Sequence, residues 1–281
     1  LDPTLEAADA ALKAARDTEA PRGYLGASGI GHPCRRALWY GFRLCAEHNI
    51  EPAGYRAIED GERGELVMVE RLRRVRGLSV YTLDEATGRQ FGVSAIGGHF
   101  RGHLDGVVVG LLQAPKTPHV WEAKVVNEKK FAALVKLRAE DEKGALAKWD
   151  EVFFAQAQIY MGLEDIDRHW LTAATPGVRN WTSVRTDFDS ATFEGLMKKG
   201  KAVITAPEPL ERVSEKPEFY VCKFCDARRV CHEKRLPRPS CRTCVHATPE
   251  LDGDARWSCA LLQKDLTEAE QRKGCTDHVY T

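Results

Sequence analysis

The sequence predicts an α/β fold in which helices flank a mixed central sheet. A long amphipathic helix comes first, apolar strand-like segments follow it, and further helices separate the last strands from the earlier ones. With 281 residues, of which 43% are hydrophobic, the chain can form one large core or two smaller ones. The expected elements are a helix at 55–77, strands at 78–83, 98–111 and 119–126, helices at 128–139 and 149–163, strands at 168–173 and 181–185, and a helix at 190–206.

Local patterns support these elements in order. The strand at 98–111 contains the valine run 107–109, which suits a buried position, and a segment with two prolines turns the chain into the strand at 119–126. After Pro207 the chain is rich in Pro, Cys and Arg, with little room for regular elements. The expected apolar side of the first long helix is Ile58, Leu66, Val69 and Leu72.

The pattern divides the chain into four predicted regions. Residues 1–19 form an amphipathic helix, and a glycine-rich turn leads to a short helix that begins near Pro33. The four regions are an N-terminal helical region with the first cysteine at 1–54, a core at 55–206, a cysteine segment at 207–236 and a Cys-rich tail at 237–281.

The composition indicates where the protein acts more clearly than what it does. No apolar run approaches the roughly 20 residues of a membrane span, and the N-terminus lacks the form of a signal peptide. The nine cysteines include C-x2-C pairs, which favour metal ligation in a reducing cytoplasm over disulfides. The formal net charge is zero, although residues 216–242 carry eight Lys or Arg against three Asp or Glu. Such a run is either a solvated face or a surface for phosphate contacts.

The strand at 119–126 carries the candidate chemistry. Because side chains alternate along a strand, Glu122 and Lys124 share one face, while Trp121, Ala123 and Val125 form an apolar face. Asp105, in the preceding strand, can meet Glu122 across the turn. Two carboxylates suit a hard cation such as Mg2+ or Mn2+, and a lysine beside them can orient water or offset phosphate charge.

This D…ExK pattern also has a structural explanation, since many proteins contain it as a surface ion pair. Two neighbouring segments strengthen the catalytic interpretation. Glu65, on the first long helix, is a further candidate ligand, although Glu59, Glu62 and Glu70 are close in sequence. Gln156 and Tyr160 lie one helical turn apart about thirty residues after the ExK strand and share a helix face.

Four cysteines enclose these segments. Cys34 stands near the start, and Cys222, Cys225 and Cys231 form a C-x2-C-x5-C set near the end. One centre held by all four would tie distant parts of the chain together. Thiolate ligands favour an iron–sulfur cluster or zinc.

Taken together, these segments resemble the PD-(D/E)XK nuclease superfamily in its RecB-like branch. The matching pieces are the G-x3-E at 61–65, GHLDG around Asp105, EAK at 122–124 and QAQIY at 156–160. CRRALWY at 34–40 and CKFCDARRVC at 222–231 are similar to the iron-stapled members, including CRISPR-associated adaptation nucleases and AddB-type subunits. The resemblance covers residues 24–235, and the chain as a whole is similar to phage and prophage exonucleases.

The resemblance implies a restriction-endonuclease-like core and the roles of particular residues. It implies a 4Fe–4S cluster on Cys34, Cys222, Cys225 and Cys231, and Mg2+ or Mn2+ binding by Glu65, Asp105 and Glu122. It also implies a catalytic Lys124 and a Gln156 near the substrate phosphate or Lys124. At the position of Glu65 many relatives have histidine, so this chain departs from the family pattern there.

A second cysteine set follows in the tail. Cys241, Cys244, Cys259 and Cys275 have spacing suited to a structural Zn2+ site, with His278 as the alternative to Cys275. The spacing also allows a second iron–sulfur cluster. Cys45, the ninth cysteine, lies on the apolar side of a helix and is expected in the core.

The sequence therefore predicts a metal-dependent DNA exonuclease in phage recombination or DNA end processing, acting in the cytoplasm of a bacterial or phage-infected cell. A strand-annealing recombinase is a plausible partner by resemblance. The alternatives are a catalytically silent nucleic-acid-binding module with the nuclease fold, and an interaction protein in which Cys34, Cys222, Cys225 and Cys231 hold zinc.

Overall fold

A computed structural model describes residues 2–18, 20–46 and 50–281, so part of the predicted region 1–54 lies outside the described residues. No helix of the described part is long and apolar enough to cross a membrane. The α-helices, in chain order, are α1 (Pro3–Arg16), α2 (Arg35–Phe42), α3 (Pro52–Leu72), α4 (Glu128–Glu140), α5 (Glu142–Trp149), α6 (Glu151–Glu164), α7 (Ser190–Thr205), α8 (Tyr220–Lys223), α9 (Arg228–His232) and α10 (Glu268–Gln271). The β-strands are β1 (Leu25–Gly26), β2 (Ser79–Tyr81), β3 (Gly92–Ala95), β4 (Phe100–His103), β5 (Gly106–Val109), β6 (His119–Val125), β7 (Arg168–Ala174), β8 (Trp181–Asp187), β9 (Ala247–Pro249), β10 (Trp257–Cys259) and β11 (Lys264–Leu266).

The chain folds into two compact units, each assembled from three segments. The first unit comprises Leu1–Ala20, Ile50–Val93 and His103–Phe193, and the second comprises Pro21–Asn49, Ser94–Gly102 and Glu194–Thr281. The predicted regions followed the chain in sequence order. In the structure, two parts of the predicted core at 55–206 group instead with the cysteine-bearing segments.

The first unit contains a five-stranded mixed sheet of order β2-β5-β6-β7-β8. β6 lies at its centre, antiparallel to β5 and parallel to β7, and β8 pairs with β7 in the antiparallel sense. The predicted mixed α/β arrangement is thus present. The parallel step from β6 to β7 requires a crossover connection, which α4, α5 and α6 provide.

The two faces of β6 differ as the alternation predicts. Trp121 and Ala123 belong to a buried cluster that includes Val108 of β5 and Trp170 of β7. The Trp121 indole N–H donates to Thr172 Oγ1 at 3.0 Å, so its polar atom is satisfied within the core. The opposite face presents Glu122 and Lys124.

The predicted apolar side of α3 is right at Val69 and Leu72, which are buried in the core cluster, and wrong at Ile58 and Leu66. Ile58 and Leu66 are exposed, Leu66 by 70%, whereas Gly64, Met68 and Leu72 are buried. Positions 64, 68 and 72 are spaced by four residues and form one helical stripe, which packs on the apolar face of the sheet. Gly64 approaches β6 so closely that a Cβ atom there would lie 2.4 Å from Val125 Cγ2. Glu65, the residue after Gly64, is half-buried beside the sheet.

The predicted strand at 98–111 is wrong as a single element, because the chain leaves one sheet and enters another within it. β4 pairs with β1 in a three-stranded sheet of order β1-β4-β3, whereas β5 pairs with β2 and β6. Leu104 and Asp105 lie between the two strands. β3, which the sequence interpretation omitted, borders β4.

The connection between β6 and β7 holds three capped helices, of which α5 was not predicted. Asn127, Asp141 and Asp150 occupy the N-cap positions of α4, α5 and α6, and each side chain accepts a bond from a backbone N–H of the first turn. The caps Asp141 and Asp150 therefore separate three helices in the connection between β6 and β7, where the hydrophobic pattern predicted two.

In the second unit, two buried arginines surround a tryptophan. The guanidinium carbons of Arg43 and Arg242 lie 5.1 Å and 4.5 Å from the ring centre of Trp257. Arg43 donates to the carbonyls of Arg242 and Ala247, and Arg242 donates to the carbonyl of Phe42 and to Gln271 Oε1. Burial lowers the pKa of Arg43 to about 10 and that of Arg242 to about 9.

The tail contains more regular structure than predicted. β9, β10 and β11 form an antiparallel sheet, and the fully buried Trp257 belongs to its central strand. The expectation of little regular structure after Pro207 was wrong here. Each of these strands has only three residues, all of them paired with a neighbouring strand. Three residues are too few for the alternation of apolar and polar side chains to predict a strand.

Cys45 lies beyond the end of α2, so its predicted place on a helix is wrong. It is nevertheless buried, and its thiol contacts the Arg43 carbonyl at 3.9 Å. Burial raises the pKa of Cys45 to about 12, although Arg43 acts in the opposite direction. The expectation that Cys45 belongs to the core is consistent with this position.

The two glycines of the 61–65 motif provide a matched test of how α3 packs. Gly64→Ala is expected to destabilise the protein by about 1–3 kcal/mol, because the methyl group overlaps the stiff Val125 side chain. Gly61→Ala is expected to stabilise it by about 0.5–1 kcal/mol, because nothing lies within 4 Å of its Cβ and alanine favours the helix. Urea unfolding of both variants measures the difference. Equal effects of the two substitutions would contradict the close approach of α3 to β6.

The pKa of Cys45 predicts its reactivity. Since the thiolate is the nucleophile, a thiol with a pKa near 12 is expected to resist iodoacetamide at pH 8 in the folded protein and to react after unfolding in guanidinium. Peptide mass spectrometry after labelling in EDTA follows each cysteine, with the exposed Cys275 as the control. Rapid labelling of Cys45 in the folded protein would show that the site is not buried.

Candidate active site and cysteine clusters

The site in the first unit begins where β5 leaves the central sheet. β5 pairs with β6 only as far as Gly106 opposite Trp121, so the backbone N–H of Ala123 has no β5 carbonyl opposite it. The carboxylate of Asp105 takes that place and accepts the Ala123 N–H at 2.8 Å. Because the pairing of β5 with β6 ends at Gly106, the side chain of the preceding residue, Asp105, points toward Ala123 of β6.

Glu122 is the centre of the site. It is 3% exposed, and its Oε1 accepts from both the Lys124 ammonium and the Gln156 amide, the latter at 2.8 Å. Its Oε2 is buried, and no hydrogen-bond partner for it is present among the described residues. A buried carboxylate oxygen in this position is a potential ligand for a cation.

The charges of the site are strongly coupled. Burial raises the pKa of Glu122 to about 7, Lys124 opposes the shift, and Asp105 adds to it. Burial also raises the pKa of Asp105, while the Lys124 charge, the Ala123 N–H and a side-chain hydrogen bond with Glu122 lower it. Burial lowers the pKa of Lys124, but Glu122 and Asp105 outweigh burial and raise it. Without a cation, the two acids resist being ionised together.

Glu65 approaches the same group from α3. Burial raises its pKa to about 7, Asp105 raises it further, and Lys124 lowers it. These interactions place Glu65 within electrostatic reach of Asp105 and Lys124. Glu62 and Glu70 are exposed, whereas Glu59 is half-buried like Glu65 but pairs with Arg63 of the same helix. The structure thus distinguishes Glu65 from its neighbours.

Helix α6 provides the remaining contacts. Gln156 is buried against Glu122, and its amide also lies 3.4 Å from the Tyr160 hydroxyl. The structure therefore brings Gln156 to the carboxylate. The ring of Phe153, which the sequence interpretation did not include, lies 5.1 Å from the Lys124 ammonium. Its position three residues before Gln156 is the signal that indicates a shared helix face.

The site fits a hard divalent cation by its donor atoms. Mg2+ is usually bound by one or two carboxylates, with water and substrate phosphates completing its six ligands. Asp105 and Glu122 are adjacent, and Glu122 Oε2 is buried without a hydrogen-bond partner in the described structure.

The first cysteine set lines one pocket of the second unit. Cys34, Cys222, Cys225 and Cys231 all border it, together with Tyr40 and Arg212. Cys34 is the N-cap residue of α2, and its backbone N–H donates to His32 Nδ1 at 3.1 Å. Burial raises the pKa of Cys222, and Cys34 and Cys231 raise it further, so these thiols are close neighbours.

The second cysteine set lines a separate pocket in the same unit. Cys241, Cys244, Cys259 and Cys275 border it, as do His246 and His278. Burial raises the pKa of Cys241, and Cys275, Cys244 and Cys259 raise it further. His278 Nε2 lies 3.0 Å from Thr243 Oγ1. Because the His278 ring nitrogen already contacts a hydroxyl group, the four thiols are the better set of metal ligands.

Neither cysteine pocket, nor the group of Glu65, Asp105 and Glu122, forms a closed metal site. Throughout residues 2–18, 20–46 and 50–281, no group of three or more His, Cys, Asp or Glu side chains is arranged so that it could hold a metal ion. The fit of each pocket thus rests on its donors, four thiols whose deprotonated thiolate forms would repel one another without a cation.

Comparisons with known proteins give distant similarities only. No protein-family profile and no curated protein matches the chain. Among solved structures, it is similar to SSO0001 with a TM-score of 0.45 and 14% identity, over 84% of this chain and 98% of that one. It is similar to the alkaline exonuclease LHK-Exo from Laribacter hongkongensis with a TM-score of 0.42 and 17% identity, over 68% and 89% of the two chains. A phage-related exonuclease from Haemophilus somnus 129PT gives a TM-score of 0.42 and 15% identity, over 60% and 77%. At such low scores and identities, the function must be inferred from this chain's own residues.

Proposed function

We propose that this protein is a metal-dependent deoxyribonuclease that acts as an exonuclease. One observation carries the proposal: the buried Glu122 carboxylate meets Asp105 and Lys124 where β5 separates from β6, and Glu122 Oε2 has no described hydrogen-bond partner. An acidic pair with an ammonium group suits the hydrolysis of a phosphodiester. The motif resemblance specifies DNA as the substrate.

Each residue of the site has a separate role in this proposal. Asp105 and Glu122 would hold Mg2+ or Mn2+. Glu65 would join them as a third ligand by moving its side chain toward the ion, because the three acids do not form a metal site as they lie in the described structure. The bound ion would supply Lewis-acid stabilisation of the phosphate and lower the pKa of a bound water. The Lys124 ammonium orients the attacking water and offsets the negative charge that develops on the phosphate. Gln156 positions the Glu122 carboxylate by donating to its Oε1.

The cysteine sets have structural roles in this proposal. A 4Fe–4S cluster on Cys34, Cys222, Cys225 and Cys231 would connect the N-cap of α2 to the α8–α9 segment. Zn2+ on Cys241, Cys244, Cys259 and Cys275 would hold the ends of the tail. The expected setting, recombination or DNA end processing in a bacterial or phage-infected cytoplasm with a strand-annealing recombinase, rests on the motif resemblance alone.

Digestion of end-labelled linear, end-blocked and circular DNA with Mg2+ or Mn2+ tests the activity. An exonuclease is expected to degrade linear DNA and to leave the blocked and circular substrates intact. Degradation of circular DNA would indicate an endonuclease. Binding without degradation of any substrate would support a silent nucleic-acid-binding module instead.

Lys124→Ala is expected to lower the degradation rate by about 100-fold or more, since electrostatic and proton-transfer groups contribute about this much to hydrolysis. Lys116→Ala, which removes an exposed lysine between β5 and β6, is expected to leave the rate unchanged. Initial rates on linear DNA at saturating Mg2+ compare the two variants. Full activity of Lys124→Ala would disprove the proposed active site.

Substitutions in the two cysteine sets are expected to have separate effects on metal content. Cys225→Ser should lose iron and visible absorbance and keep zinc, because it removes a ligand from the first set only. Cys259→Ser should lose zinc and keep iron. Elemental analysis of anaerobically purified protein measures both. Wild-type protein that contains zinc and no iron would exclude the iron–sulfur assignment.

A further inference from the structure

The segment that carries the first cysteine set exposes two aromatic rings. Tyr220 is 70% exposed and Phe224 is 80% exposed, although each is adjacent to the buried environment of Cys222. The same segment of the chain carries several exposed basic residues, and we call these exposed aromatic and basic residues together the aromatic-basic surface. Its members are Tyr220, Phe224, Lys216, Lys223, Arg229, Lys234 and Arg235.

The geometry of α8 explains why these rings lie outward. Cys222 is buried in the pocket of the first cysteine set, so the opposite side of this one-turn helix faces solvent. Tyr220 and Phe224 are four residues apart and therefore lie on one side of the turn. Phe219, half-buried, supports Tyr220 with a ring-centre distance of 4.7 Å. The Lys223 ammonium lies 5.4 Å from the ring centre of Phe224.

Singly exposed apolar side chains need no explanation, whereas two exposed aromatic rings on one helical turn with basic residues nearby in the chain suit a binding surface. No function in the fold is visible for the Phe224 ring, because it adds almost no buried apolar area. The ring is flat and rigid, and the Lys223 ammonium lies over one of its faces, so a base would stack on the opposite face with a cation close by.

The charge of the segment complements a phosphate backbone. Between residues 216 and 239, the exposed charged residues are six Lys or Arg against three Asp or Glu. One of the acids, Glu233, is already paired with Arg228 at 3.0 Å. Arg242, which the sequence pattern grouped with this run, is buried against Trp257 and does not belong to the surface.

We propose that the aromatic-basic surface binds single-stranded DNA, with bases stacked on Tyr220 and Phe224 and phosphates paired with Lys223 and its basic neighbours. This proposal rests on the proposed nuclease function for its choice of DNA. Stacking on an exposed ring requires an unpaired base, so the surface selects single strands over intact duplex. The function of the surface is to retain a strand, and it has no part in the hydrolysis.

Fluorescence anisotropy with a labelled oligonucleotide tests the proposal. The full chain carries Lys124→Ala so that the probe survives, and no divalent metal is added. Tyr220→Ala and Phe224→Ala are each expected to weaken binding of the single strand at least about fivefold, because stacking of one base contributes about 1–3 kcal/mol. Binding of a hairpin duplex with closed ends is expected to change less than twofold.

Three further variants separate stacking from other effects. Phe224→Trp is expected to retain binding, and Phe224→Leu, which keeps an apolar side chain, is expected to lose it. Leu112→Ala removes an equally exposed apolar side chain of the first unit and is expected to have no effect. Lys223→Ala is expected to reduce the slope of log Kd against log salt by about 0.7, the value for one phosphate contact on a single strand. Unchanged circular dichroism and iron content show that each variant is folded.

Two outcomes would overturn the proposal. Unchanged single-strand affinity in the Tyr220→Ala and Phe224→Ala variants would exclude stacking at this surface. If the wild-type protein were a dimer that these variants dissociate without loss of DNA affinity, the surface would bind a second copy of the chain. The nuclease proposal is tested independently, because the binding assay requires no catalysis and the digestion assay uses the unmodified surface.

Discussion

The candidate site depends on one buried carboxylate. Glu122 lies at the centre of the sheet, where burial disfavours its charge, and it is held there by Lys124 and Gln156. The same strand places Trp121 and Ala123 into the apolar core. Because alternation fixes both faces at once, the packing of the core determines the direction in which Glu122 points.

The other members of the site follow from how neighbouring elements meet β6. Asp105 reaches Ala123 because β5 stops pairing at Gly106, and Gly64 allows α3 to pack closely on β6, with Glu65 half-buried beside the sheet. Gln156 arrives from α6, which begins at the Asp150 cap. Three elements thus converge on one strand, and each requires a local feature that has no catalytic role itself.

The second unit is organised around a different interaction. Arg43 and Arg242 are buried without a carboxylate partner in the described structure, and they are stabilised instead by backbone carbonyls and the Trp257 ring. Arg43 directly follows the helix that Cys34 begins, and Arg242 lies between Cys241 and Cys244. These contacts join α2 to the tail. We therefore expect the two cysteine pockets to be structurally connected through α2.

The sequence by itself determined the mixed α/β class and the two faces of β6, because each depends on local periodicity. Spacing also grouped Cys222 with Cys225 and Cys231, whereas the place of the distant Cys34 in the same pocket depends on the tertiary structure. Only the tertiary structure decided which helix residues pack inward, since the hydrophobic pattern of α3 favoured Leu66 and packing against Val125 selected Gly64. It also decided that the segment at 98–111 joins two sheets and that three short strands form in the tail, because strand pairing depends on distant partners. The exposure of Phe224 likewise follows from the burial of Cys222 and not from its own sequence pattern.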